Sequence, residues 1–203
     1  LSTKKGKETW VEPIVKRGKP SRIEFRVGSG AGKAPDGTVG RRGARCVACK
    51  TAVDLEYIRE QGRSGDLGCT AMAIAAEGLH GRVYCAPNAL HTQAAKVAAP
   101  PGVLETELPE QALSFRVQSY GMAQHRDLFT ARQLLALTTF SDLVSVAMTR
   151  VHRDANAALD TGRDDRPLRD GGSGARAYAE AVATYLAIGV SRHSNACPTL
   201  CTW

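Results

Sequence analysis

DLFTARQLLALTTFSDLVSVAMTRV, residues 127–151, is the longest segment of the chain that keeps a single period. Thr130 followed by Gln133 forms a capping box, in which each side chain satisfies a backbone donor left open at a helix start. Leu134, Leu137, Phe140, Val144, Ala147 and Val151 then recur at helical spacing, and Leu135, Leu143 and Met148 widen the apolar face. A face that wide needs cover from more than one side, so this helix is expected to be the spine of the second half. It divides a basic, glycine-rich, cysteine-bearing half from an alanine-rich helical one.

Beyond the spine, residues 160–174 (DTGRDDRPLRDGGSG) read as a polar loop without periodicity, expected to be mobile. Ser173 can cap a following helix in which Tyr178, Val182, Tyr185, Leu186 and Gly189 share a face. Gly189 would let another helix approach closely, or is merely tolerated. The two helices together are expected to form an antiparallel pair whose exposed apolar surface awaits a partner.

On the other side, residues 99–126 read as a connector, acidic and proline-bearing over its first part through Glu105, Glu107 and Glu110. Asn88–Ala98 suits a short surface helix ended by Pro100-Pro101. Thr70–Ala76 and Arg82–Ala86 read as strands of a hairpin joined across residues 77–81, with His80 exposed in the turn. Asp54 can cap a helix running to Gln61, with Leu55, Tyr57 and Ile58 along one side. Ser21–Val27 alternates as a strand does, whereas residues 1–20 are polar and basic with Trp10, Val11, Ile14 and Val15 as anchors. The expected architecture is α+β: a basic, β-rich region over 1–98, the connector, and a helical region over 127–203.

Hydrophobic residues make up 43% and charged residues 23% of the 203, as in soluble globular chains. No unbroken apolar run reaches the roughly 20 residues of a membrane helix, so no membrane partner is expected. No secretory signal opens the chain. Both ends look cut, which suggests an interior piece of a longer polypeptide. The net charge is +7, and residues 1–50 carry 13 Lys/Arg against 4 Asp/Glu. A basic end on a near-neutral body is the footprint of a nucleic-acid contact, because neutralising phosphates releases counterions. A merely solvated basic terminus is the plain alternative.

The chemistry concentrates in residues 41–51, RRGARCVACKT. Cys46 and Cys49 form a C-x-x-C pair with Lys50 behind it and Arg41, Arg42 and Arg45 around it. Two thiolates at this spacing supply half of a tetrahedral zinc site. A redox pair would open a helix after a buried strand, whereas an arginine-glycine loop precedes this one. Half a zinc ribbon is therefore favoured over a redox pair or two incidental thiols. Cys69 and Cys85 are expected in the core, since free cysteine is among the most buried residue types. His193, Cys197 and Cys201 are weak ligand candidates because Pro198 breaks the helix that would align them. The C-x-x-C spacing and the absent signal point to a reducing cytoplasm. Residues 28–33 (GSGAGK) fail as a phosphate loop: the motif needs a glycine five positions before its Gly-Lys and a Ser/Thr after, where Val27 and Ala34 stand. This stretch is expected to be a flexible connection.

Several of these segments together resemble one family. VQSYGMAQHRDLFTARQLLALTTFSDLV, YAEAVATYLAIGVSRHSNACPTLCTW, GRVYCAP, LSTKKGK and RRGARCVACKT are similar to the central region of adenine-specific DNA methylases that contain a zinc ribbon. The resemblance covers nearly the whole chain. It implies that the helices pack on a Rossmann-like methyltransferase, which binds S-adenosylmethionine and methylates the exocyclic amine of adenine in DNA. It implies zinc, with Cys46 and Cys49 as one half of the ribbon and the other C-x-x-C just before Leu1. Arg41, Arg42, Arg45 and Lys50 are the candidate nucleic-acid contacts. The family's glycine-rich cofactor loop and its Asp/Asn-Pro-Pro-Tyr/Phe tetrapeptide do not appear; Pro100-Pro101 lacks the polar and aromatic flanks. No catalytic or cofactor-binding residue is therefore assigned on this chain. The alternative function is a non-catalytic zinc-ribbon adaptor for nucleic acid; a third is an interaction piece with a vestigial knuckle.

Overall fold

The computed structural model describes residues 1–110, 116–158 and 164–196. It is mixed α+β, built of small antiparallel sheets and helices. The chain falls into two compact units, one of residues 1–96 and 109–123, the other of residues 97–108 and 124–203. The stretch read as a connector is thus shared between them.

The first unit opens with a hairpin of β1 (Thr9–Lys16) and β2 (Arg22–Ser29), paired from Thr9↔Ser29 to Lys16↔Arg22. Strand β2 matches the alternation of Ile23, Phe25 and Val27; β1 is a strand where none was expected. Pro13 interrupts its pattern, yet a two-stranded sheet has only edge strands, where a missing N–H costs no ladder bond. Trp10 is the buried anchor of this hairpin. Its ring lies so close to Gly28 and Gly32 that a Cβ on Gly28 would sit 2.6 Å from the indole nitrogen. Gly28 and Gly32 of GSGAGK therefore make room for a tryptophan rather than for a phosphate. The indole N–H donates to Glu12 at 2.7 Å, and Arg26, the cross-strand neighbour of Glu12, pairs with the same carboxylate. Arg26 first, then Trp10, hold that carboxyl below its ordinary pKa.

A three-stranded sheet follows, in the order β3 (Val39–Gly40), β4 (Gly43–Arg45), β5 (Ala52–Asp54). It runs straight into α1 (Leu55–Arg63), whose N-cap is Asp54: the Tyr57 N–H donates to its carboxylate at 2.7 Å. Strands β6 (Ile74–Gly78) and β7 (Gly81–Cys85) form the expected hairpin. Gly78 pairs with Gly81, so Leu79 and His80 make a two-residue turn and His80 is exposed. A short helix, α2 (Ala89–Ala94), is capped by Asn88 and His91 and ends ahead of the expected Ala98.

In the second unit the spine is α3 (Ala131–Ala158), 28 residues long. Its capping box is formed: the Thr130 N–H donates to Gln133 Oε1 at 2.7 Å, and the Gln133 N–H to Thr130 Oγ1 at 3.3 Å. Helix α4 (Ala175–Ser194) runs antiparallel to it, with Phe140 edge-on to His193 at one end and His152 beside Arg176 at the other. Leu134, Leu137 and Ala155 of α3 are buried, together with Ala175, Ala177, Ala179 and Ala183 of α4. The packed face of α4 is therefore its alanine stripe, not the face of Tyr178, Tyr185 and Leu186, which are exposed. Small side chains let the helix axes approach, and the tyrosines would hold them apart. A Cβ on Gly189 would meet open space, so this glycine admits no neighbouring backbone.

The described part of the polar loop is organised around one carboxylate. Asp164 accepts from the Ser173 N–H at 3.0 Å, the Ser173 hydroxyl at 3.1 Å and the Arg166 N–H at 3.1 Å, and pairs with the Arg166 guanidinium at 2.9 Å. Ser173 is committed there, and the N-cap of α4 is Gly174 with no side-chain bond. The outer face of α3 stays open, with Phe140, Leu143 and Val146 about half exposed or more. Among the described residues α3 is long and apolar enough to cross a membrane by length and composition. Its serines and threonines broke up the apolar letters without making the helix polar.

Candidate functional site

The C-x-x-C pair occupies the turn between β4 and β5. The Cys46 N–H donates to the Thr51 carbonyl at 2.9 Å, which carries the ladder one step past the strands. The Lys50 N–H returns to the Cys46 carbonyl at 2.9 Å, closing the loop. Lys50 takes a φ of 65°, the left-handed region that L side chains seldom enter. The chain accepts that strain directly behind the second cysteine, and in return both thiols come from one tight turn.

Cys49 is exposed and Cys46 half-buried. The Cys49 sulfur lies 3.1 Å from the Thr51 hydroxyl. That contact, then the Thr51 backbone N–H, then the Cys46 thiol pull the Cys49 thiol down to about 7. A substantial fraction is therefore thiolate at neutral pH, the form that binds metal or acts as a nucleophile. Fixed donors around a sulfur and two thiols on one turn suit a thiophilic metal such as zinc. They would supply two of its four ligands. Among the described residues no three His, Cys, Asp or Glu side chains gather into a metal site.

Cys69 and Cys85 are exposed, which corrects their expected place in the core. Cys69 lies in the coil between α1 and β6, and Cys85 ends β7, so neither sits where a packed layer could cover it. Cys197 and Cys201 lie outside the described residues. The turn also differs from a dithiol redox site, because the pair bridges two strands and does not open a helix.

Arg41 and Arg42 form the β3–β4 turn, Arg45 ends β4, and Lys50 closes the knuckle. All four are exposed, and none makes an ion pair among the described residues. Some other cations of the unit are neutralised: Arg59 and Arg63 both reach Glu56, and Lys16 reaches Glu24. The sheet thus carries unneutralised positive charge at both ends of β4: Arg41 and Arg42 on the β3–β4 turn, and Arg45 and Lys50 next to the cysteines in the chain.

One arrangement has no local signal in the sequence. A 3₁₀ turn over Val117–Tyr120 lies on α1. The Arg59 guanidinium sits 5.8 Å from the Tyr120 ring centroid, and Arg63 donates to the Ser119 carbonyl at 3.3 Å. Gly62 and Gly121 meet backbone to backbone; a Cβ on Gly62 would lie 2.8 Å from the Tyr120 carbonyl carbon. The Tyr120-Gly121-Met122 segment is therefore anchored on the helix that leaves the knuckle sheet. No family profile, curated protein or solved structure matches this chain.

Proposed function

We propose that this chain is an inner, DNA-gripping segment of an S-adenosylmethionine-dependent DNA adenine N6-methyltransferase. The observation that carries the reading is the cysteine turn on its small basic sheet: two thiols on one strained turn, a Cys49 thiol held near neutrality, and cations without ion-pair partners at both ends of β4. Cys46 and Cys49 would hold one side of a zinc ion, whose role is to clamp this turn to a second ligand pair elsewhere in the complete polypeptide. Arg41, Arg42, Arg45 and Lys50 would contact phosphates, which position a protein on DNA without reading its sequence. The open faces of α3 and α4 would pack on the Rossmann-like fold that carries S-adenosylmethionine and the adenine pocket, and the knuckle would work in a reducing cytoplasm. The resemblance of the Tyr120–Val144 block to zinc-ribbon adenine methylases supports this assignment over a free-standing adaptor.

Metal analysis and methyl transfer test it on the complete polypeptide. One zinc per chain, lost on Cys46→Ser, together with transfer of a labelled methyl group to adenine in DNA, is the expected result. Unchanged zinc in Cys46→Ser overturns the ribbon assignment. Zinc without methyl transfer leaves the non-catalytic zinc-ribbon module.

A further inference from the structure

We propose that a cleft between the Ser2–Thr9 arm and the tip of the β6–β7 hairpin is a second phosphate-gripping site for nucleic acid, separate from the knuckle arginines. The cleft has a volume of about 740 Å³ and is lined by Lys4, Lys7, Arg82, His80 and Tyr84, with Glu8 as its only carboxylate among the described residues.

The arm is a built element. Ser2 and Thr9 exchange backbone bonds of 2.9 and 3.0 Å, the Lys7 N–H donates to the Lys4 carbonyl at 2.8 Å, and Gly6 takes a φ of 76°. A further bond of 3.1 Å from the Gly30 N–H to the Glu8 carbonyl ties the arm to the end of β2. The lysines are thus carried on a closed turn, with less freedom to lose on binding than a loose basic tail. The opposite wall comes from β7, which contacts β2. Arg82 stands across the hairpin from Glu77 without forming an ion pair with it. Among the described residues Lys4 and Lys7 also have no ion-pair partner. Three unneutralised cations around a concave surface with one carboxylate focus positive potential where a phosphodiester backbone can lie. The half-buried Tyr84 supplies a ring on which a base can stack. This inference rests on the nucleic-acid reading above and names where the contact is made.

Salt-dependent affinity separates the two claims. Fluorescence anisotropy with a labelled DNA duplex is measured from 50 to 200 mM salt on the wild-type chain. The variants are Lys4→Gln/Lys7→Gln/Arg82→Gln and Arg41→Gln/Arg42→Gln/Arg45→Gln. Each phosphate contact contributes about 0.9 to the slope of log affinity against log salt, so losing three should flatten it by about 2 to 3. Over that fourfold salt range the wild type should lose about 40-fold more affinity than the cleft variant. The charge-conserving Lys4→Arg/Lys7→Arg/Arg82→Lys should keep the wild-type slope. A cleft variant with an unaltered slope, beside a wild type that binds, overturns the cleft and leaves DNA binding intact. A wild type that does not bind DNA overturns both.

Discussion

Replacing Gly62 with alanine sets two physical effects of opposite sign against each other. A glycine inside an exposed helix costs up to about 1 kcal/mol relative to alanine, so propensity alone makes Gly62→Ala stabilising. The new methyl group, however, would lie 2.8 Å from the Tyr120 carbonyl carbon and 3.0 Å from its Cα. These are backbone atoms of an ordered turn and cannot rotate away as a side-chain tip can. Relief requires the 117–121 turn to lift off α1, which loosens the Arg63–Ser119 hydrogen bond and the stacking of Arg59 on Tyr120. Overpacking of this kind costs about 1–3 kcal/mol, and the two loosened contacts add about 1 kcal/mol together. Clash and lost contacts outweigh propensity, and the net expectation is destabilisation by about 1–3 kcal/mol. Urea unfolding of the wild type and the Gly62→Ala variant measures it through the midpoint at constant slope. Gly121→Ala meets the carbonyl of Gly62 from the other side, so the double variant should cost clearly less than the two single changes together. A Gly62→Ala protein that is more stable than wild type by about 1 kcal/mol would show that the two backbones do not touch.

Other consequences can be measured in the same material. Ala179 is 1% exposed against α3 whereas Tyr185 is 78% exposed. Ala179→Leu should therefore destabilise the second unit by about 1–3 kcal/mol, and Tyr185→Ala should stay within about 0.5 kcal/mol, read by thermal melts. The bonds from Arg166 and Ser173 hold the Asp164 carboxyl well below the usual carboxylate range. The folded chain then binds this proton less readily than the unfolded chain, so the contribution is complete above about pH 4 and is lost as pH falls further. Asp164→Asn should flatten this part of the stability profile between about pH 2 and 4; an unaltered profile would remove Asp164 as the loop's organiser. Cys49 should react with iodoacetamide faster than Cys85 at pH 7, since Thr51 and Cys46 lower the Cys49 thiol. Equal rates, measured by mass spectrometry of the labelled peptides, would contradict the donor arrangement at the knuckle.

Where a structural decision is settled within four residues, the amino-acid sequence alone determined it. Thr130 with Gln133 starts α3, Asp54 starts α1, the glycines at 78 and 81 turn the β6–β7 hairpin, and the spacing of Cys46 and Cys49 places two thiols on one turn. Caps, tight turns and the period of a helix are local interactions, so their residues announce them. Tertiary structure decided which surface each element buries. Periodicity ranks the Tyr178–Leu186 face of α4 above the alanines, but close approach to α3 selects the smaller side chains. Nothing near Pro13 predicts a strand until β2 lies beside it, and Cys69 and Cys85 read as core until no layer is found to cover them. The meeting of Gly62 with Gly121, and of Lys4 and Lys7 with Arg82, joins residues far apart in the chain. Such contacts depend on shape and distance in space, which local patterns of polarity do not encode.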